Sequence, residues 1–469
     1  MSAAAKTHRL IEIDWPEFGL AERPPAALAA ELEGRLEALR ARMAEERLTH
    51  AVVYADREHF ANMAYLTNFD PRFEEALLIV AREGDPLIVV GNECEGYLGV
   101  SPLRAAGKLR SERFQPFSLL NQPRESSRKI RDIFAGEGIG KGARVGCIGW
   151  KYFADSEHPD GAHAIDLPSY LADTLRELAG REAVVNATAL MVHPATGLRA
   201  RCSPSEIAYF EYTSVLASEG MKRMLFGLHP GMIDTELAAL SGYNGEPLSC
   251  HMTLVTQANR DQGLSGPIGA RIALGSPLAS NIAYWGSNVC RAGWVAKSAK
   301  DLVPAAHDYV DAFAGPYFAV MAEWFALLKI GTPGGRLKAL ISEKLPFERF
   351  RIFLNPGHLI HLDEWLSSPI YTGSDVPLSS GMAIQVDVIP SSPVYFSTRM
   401  EDGVVLADAE LRRSLETRYP ACFARCLKRR EFMTEVLGIE LADEVLPLSN
   451  MPTIVPPFFL EPNQIFAVH

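Results

Sequence analysis

Apolar residues recur at helical spacing early in the chain and then give way to short uninterrupted runs. Between 26 and 46, Leu28, Leu32, Leu36, Leu39 and Met43 fall three or four apart with charges between them, which predicts an amphipathic helix. The runs Ala51–Tyr54, Ala76–Val80 and Leu87–Val90 predict buried strands, the last two joined by a hairpin through Arg82-Glu83-Gly84-Asp85. A helix over 126–136, a strand over 144–148, a helix over 170–178 and a strand over 183–185 continue the alternation. Strands alternating with helices predict an α/β domain, here residues 1–198.

A strong helix start follows. Ser203 suits an N-cap, Pro204 the first turn, and Glu206 closes a capping box three residues after the cap. Helical spacing persists to about Leu225, where His229-Pro230-Gly231 stops it. Polar and glycine-rich runs over 249–255, 271–274 and 292–295 predict twisted antiparallel strands. A long helix over 303–328, a shorter one over 335–343, strands over 383–389 and 404–406, and a helical tail over 411–437 complete the pattern. Residues 199–469 are thus predicted as an α+β domain with a C-terminal extension.

Composition narrows the function classes. A chain of 469 residues buries enough surface for two cores. A formal charge of -11, with no concentrated basic stretch, excludes a nucleic-acid partner. No uninterrupted apolar stretch is long enough to span a membrane, and the start of the chain, Met1 to Arg9, has no apolar segment after its charges. Seven scattered cysteines point to a reducing compartment, so a cytoplasmic protein is expected; Cys422 and Cys426 fall on one helical face. The absence of a Gly-x-Gly-x-x-Gly or Gly-x-x-x-x-Gly-Lys turn removes the main support for nucleotide binding.

The candidate chemistry sits in the second half. His358 follows Pro356-Gly357, and a histidine there can shuttle protons near neutral pH. His361, Asp363, Glu364 and Trp365 follow closely; an aromatic beside a carboxylate excludes water, which makes Glu364 an acid–base candidate. Asp387 interrupts an apolar run and shares a face with Gln385 at period two, and Glu401 enters the next strand. Asn288 and Arg291 offer amide and guanidinium groups for a substrate. Arg72 and Phe73 are further substrate-binding candidates in the first domain.

Several fragments, taken in order, resemble the creatinase, prolidase and aminopeptidase P family, whose fold is called pita-bread. They are Arg35-Leu-Glu-Ala-Leu-Arg40, 62–69, 72–80, Ser205-Glu206-Ile207, Leu228-His-Pro-Gly231, Gly357-His358 and Glu401-Asp402-Gly-Val404. The resemblance implies a creatinase-like N-terminal domain, a pita-bread catalytic domain, and a homodimer in which the loop with Arg72 and Phe73 approaches the other subunit's pocket. It also implies a two-metal centre, whose histidine falls on His358 and whose glutamates fall on Asp387 and Glu401. Of the family's two aspartates, one falls on Asn288 and the other, expected around 276–278, has no acidic counterpart. The family's other proton-handling histidine is also missing from 256–265, while His251 lies earlier.

Too few anions remain to offset two close cations. The expectation is therefore a metal-free, creatinase-like hydrolase of a carbon–nitrogen bond in a small amide-, amidine- or peptide-like substrate. His358, Glu364, Asp387 and Glu401 would be its catalytic groups, and Arg72, Phe73, Asn288, Arg291, His361 and Trp365 its substrate-binding residues. A single divalent ion on His358, Asp387 and Glu401 stays open as the alternative. So do a lyase acting on a small zwitterion, a metal-dependent Xaa-Pro peptidase and a non-catalytic binding protein.

Overall fold

A computed structural model describes residues 6–469; Met1–Ala5, part of the start read above for a targeting segment, lie outside the described residues. The chain divides into two units, Pro25–Ala200 and a second formed by the chain up to Pro24 together with Arg201–His469. The segment before Pro25 was expected in the first domain. It belongs to the second because His8–Glu12 pairs antiparallel with the C-terminal strand Gln464–Val468.

Pro25–Ala200 is built on a six-stranded mixed sheet in the order Arg110–Arg113, Leu87–Val90, Ala76–Ala81, His50–Ala55, Val145–Ile148, Val184–Asn186. The predicted hairpin is present, with Gly84 at φ +83°. The first helix spans Ala29–Glu45 and buries the predicted Leu32, Leu36, Leu39 and Met43. Leu171 and Leu175 of the helix Ser169–Ala179 and Ile133 and Phe134 of Ile130–Gly136 fill a core against the sheet.

The second unit holds two four-stranded antiparallel sheets. One runs Arg399–Glu401, Ser287–Trp294, Pro277–Tyr284, Leu254–Val255; the other runs His358–Leu359, Ala383–Gln385, Gly403–Leu406, Val445–Pro447. The helix Pro204–Gly227 starts with the predicted capping box at Ser203 and Glu206. Its Met221 and Met224 pack with Leu278, Ile282 and Val289 of the first sheet.

Four predicted elements come out differently. The helix over 303–328 is α-helical only at Gly315–Leu327, after a five-residue π-turn at Val310–Ala314. Pro316 explains the break: it has no N–H for the carbonyl of Ala312, which Arg349 occupies instead. Pro420 likewise divides the tail into Ala409–Arg418 and Pro420–Glu431. The strand over 383–389 is regular only to Gln385, and 271–274 contributes a single bridge, Ile233 to Arg271.

One feature of the backbone decides where the site forms. A single run of chain leaves the first sheet at Glu401 and enters the second at Gly403, so Asp402 is the corner between them. Arg291 Nη2 donates to Asp402 Oδ2 at 2.8 Å, and the backbone N–H of Thr453 donates to the same oxygen at 3.0 Å. Both side chains of the pair are almost fully buried. Gln385 Nε2 adds a second tie by donating to the carbonyl of Asn288 at 3.0 Å.

Asp402→Ala leaves the Arg291 guanidinium buried without a countercharge, so the unfolding free energy of this unit is expected to fall by about 3–5 kcal/mol. Urea denaturation followed by tryptophan fluorescence reads this directly, and an unchanged midpoint would remove the corner's structural role.

Candidate metal centre

The strand register brings the polar residues to one face. Cys290 lies opposite Asn281 on one side and Glu401 on the other, and Asn288 is two residues before it. Residues opposite or two apart share a face of the sheet, so Asn281, Asn288 and Glu401 converge while Arg291 points the other way. From the second sheet, His358 lies opposite Gln385, and Asp387 follows two positions later. Gly357 makes this approach possible: its φ is +116°, and a Cβ there would sit 3.1 Å from Trp324 and Ile370 and 3.2 Å from the Gln385 carbonyl.

His358, Asp387 and Glu401 each offer a ligand atom, and these atoms all lie within 4.8 Å of one another. All three residues are buried. Asp387 Oδ1 is enclosed with no hydrogen-bond partner, and the enclosed His358 Nε2 faces Glu364 Oε1 at 3.3 Å. Leaving a buried carboxylate oxygen unsatisfied costs about 1–3 kcal/mol. One imidazole and two carboxylates facing a common point satisfy that deficit together if a divalent cation sits between them, and this mixed donor set suits a first-row ion such as Zn2+ or Mn2+. The expectation of no metal, and with it of a metal-free creatinase-like hydrolase, is thereby corrected. The charge count that argued against two cations leaves a complete set for one.

Electrostatics agree with a site built for positive charge. Burial raises Asp387 to about 6, with the Glu364 charge adding to it and His358 and Arg399 opposing. Burial, then the charges of Asp387 and Glu364, hold Glu401 well above the usual carboxylate range. Burial pulls His358 down, yet the Glu364 and Asp387 charges outweigh it and leave the imidazole raised. Glu364 goes the other way: burial pushes it up, but the His358 charge and hydrogen bonds from His358 and Asn288 hold it below its ordinary value.

The remaining candidates divide into neighbours and absentees. Glu364 Oε1 lies 3.3 Å from His358 Nε2 and accepts from Asn288 Nδ2 at 3.3 Å. Trp365 stacks on the His358 ring with centroids 4.1 Å apart and planes 16° from parallel. Arg291 is at the corner and is not free for a substrate. Its N–H groups reach the carbonyls of Ile454, Cys290, Glu401 and Met451 as well as Asp402, which corrects its expected substrate-binding role.

His361 turns to the start of the long helix, with Nε2 3.0 Å from Glu206 Oε1 and its ring edge-on to Phe210. Arg72 and Phe73 belong to the other unit. There Arg72 donates to the Tyr97 hydroxyl at 2.7 Å and lies 3.5 Å from Asp70, while Phe73 is exposed.

One residue escaped the sequence reading. Asn281 lies beside Asn288, donating from Nδ2 to Asn288 Oδ1 at 3.2 Å. The signal was the turn: Tyr284 pairs with Ser287 around Gly286, φ +78°, and counting back from it sets Asn281 opposite Cys290. Arg399 lies beside Cys290 Sγ at 3.7 Å, and although burial opposes its charge, Cys290, Asp387 and Glu401 keep its pKa raised.

Neither a protein-family model nor a curated protein matches the sequence. Solved structures do match the fold. A recombinant prolidase from Thermococcus sibiricus aligns at a TM-score of 0.62 and 15% identity, over 89% of this chain and 96% of that one. An Xaa-Pro dipeptidase from Bacillus anthracis aligns at 0.61 and 15%, over 81% and 96%. An X-Pro aminopeptidase from Thermotoga maritima aligns at 0.56 and 13%, over 80% and 95%. The chain therefore has the pita-bread fold of these prolidases and X-Pro aminopeptidases, and among the described residues His358, Asp387 and Glu401 form a group that could hold a metal ion.

Proposed function

We propose that this protein is a metal-dependent peptidase of the Xaa-Pro type, hydrolysing the amide bond that precedes a proline in a small peptide. The observation that carries the reading is the convergence of one histidine and two carboxylates within 4.8 Å, with the buried Asp387 Oδ1 left unpaired. Prolidases and X-Pro aminopeptidases of the same fold supply the substrate class.

A divalent ion held by His358, Asp387 and Glu401 supplies Lewis acidity toward a carbonyl oxygen and lowers the pKa of water. The chain's own groups do the rest. Glu364 is held ionised below its ordinary range and is the one carboxylate beside His358 with appreciable exposure, at 22% of its side chain. It accepts the proton of the attacking water and returns it to the leaving nitrogen. Trp365 covers one face of His358 and keeps bulk water from that side, which strengthens the charges within. Arg399 keeps its positive charge beside Asp387 and Glu401 and offsets part of their mutual repulsion. The reading includes a homodimer, with Arg72 and Phe73 presented to the partner; sedimentation as a monomer at micromolar concentration would remove that part.

Glu364→Gln is expected to lower kcat by about 100- to 10,000-fold on an Xaa-Pro dipeptide while metal content is retained. His358→Ala is expected instead to lose metal, by more than about 100-fold in affinity, and activity with it. Elemental analysis alongside a ninhydrin assay for released proline separates the two. Activity that survives exhaustive chelation would contradict the metal-dependent reading.

Stability of the metal-free protein carries a sign that can be checked. Asp387 and Glu401 bind protons in the folded chain that the unfolded chain releases near pH 4. Stability is therefore lost as pH rises from about 4, through about 6 for Asp387 and further for Glu401. Glu401→Gln removes one of these charges, so it is expected to raise the melting temperature of chelated protein at about pH 8 and to change it little at about pH 4. Equal shifts at both pH values, read by differential scanning fluorimetry, would contradict the assignment.

A further inference from the structure

The hydrogen bonds on the far side of Glu401 run in one fixed direction. The backbone N–H of Thr253 donates to Asn281 Oδ1 at 2.6 Å, and the Thr253 hydroxyl donates to the same oxygen at 2.7 Å. A backbone N–H can only donate, so it fixes which end of the Asn281 amide is oxygen. The amide nitrogen is thereby turned to Asn288 Oδ1, at 3.2 Å, and to Cys250 Sγ, at 3.4 Å. Asn288 is oriented in its turn, and its Nδ2 donates to Glu401 Oε1 at 2.8 Å and to Glu364 Oε1 at 3.3 Å. Both asparagines are buried.

The ladder delivers hydrogens, not lone pairs, to the place between Glu401 and Glu364. A cation bridging those carboxylates would face the positive end of an amide dipole. The two amide oxygens that could bind it are already engaged, one by Thr253 and the other by Asn281. Neither amide carries the negative charge that lets two cations sit close together. Asp387 Oδ1 has no partner, and His358, Asp387 and Glu401 offer ligand atoms within 4.8 Å of one another, so donors for one ion remain.

We infer that the Thr253–Asn281–Asn288 ladder stands in for a second cation, so that this centre takes a single divalent ion per chain and Asn281 and Asn288 are positioning residues for Glu401 and Glu364. The inference rests on the metal-dependent reading above and adds the stoichiometry and its cause. The ladder holds the Glu364 carboxylate by a neutral donor, the Asn288 amide N–H. An aspartate at both ladder positions would reverse the arrangement by supplying anionic oxygens where the amides now present N–H groups.

The test loads full-length protein with Mn2+, removes unbound ion by gel filtration, and measures manganese per chain together with the electron paramagnetic resonance spectrum. The wild-type protein is expected to hold one ion with an uncoupled spectrum. The double variant Asn281→Asp, Asn288→Asp is expected to hold twice as many, with exchange-coupled lines. Two coupled ions in the wild-type protein would overturn the ladder and leave the metal-dependent reading intact. No ion in the wild-type protein, under conditions where the fold is shown intact by circular dichroism, would overturn that reading and this inference with it. Should the double variant fail to fold, the wild-type count and spectrum decide the matter alone; a folded double variant with a single ion would count against the ladder.

Discussion

The site depends on a buried ion pair at a corner of the backbone. Glu401 belongs to one sheet and His358 to the other, and the chain passes between the sheets at Asp402. Asp402 is pinned by Arg291, whose remaining N–H groups are all committed to main-chain carbonyls. Taking both charges out of water is costly, and here the return is positional. Burial pushes the Asp402 carboxyl up, and the Arg291 charge opposes it. With this corner fixed, Glu401 meets His358 and Asp387; His358 and Glu401 stand on strands, and Asp387 lies two residues past the end of one. Regular elements hold side chains in place better than loops do.

The same arrangement concentrates like charge in a small buried space. Asp387 and Glu401 are both raised, chiefly by burial, with the Arg399 charge opposing the rise in both and His358 opposing it in Asp387. The neutral Asn288 amide takes one oxygen of Glu401 without adding to the repulsion. Anions at positions 281 and 288 would add to that repulsion, whereas the amides do not, and their polarity is set by one backbone N–H at Thr253.

Much of this was legible in the sequence, for identifiable reasons. The capping box at Ser203 and Glu206, the Gly84 hairpin and the leucines of the first helix are local signals, and each appears where its chemistry places it. Gly357-His358, Asp387 and Glu401 were legible because a polar group in an apolar strand needs a partner. What escaped depends on pairing across distance. Asn281 joins the site through strand register, and Arg291 is withdrawn from it by carbonyls more than a hundred residues away in sequence. His361 carries the same residue type and spacing as a ligand, but a glutamate at a helix start claims it. The metal question turned on counting anions for two ions; the sequence already offered His358, Asp387 and Glu401 as a one-ion alternative, and their convergence in space favours it.

Anomalous diffraction at the absorption edge of a soaked or co-purified divalent ion decides whether His358, Asp387 and Glu401 share one cation. One peak is expected in each chain, about 2.0–2.2 Å from a nitrogen of His358 and from oxygens of Asp387 and Glu401. A map with no peak among these residues in fully loaded crystals, or with a second peak between Glu401 and Glu364, would contradict that expectation.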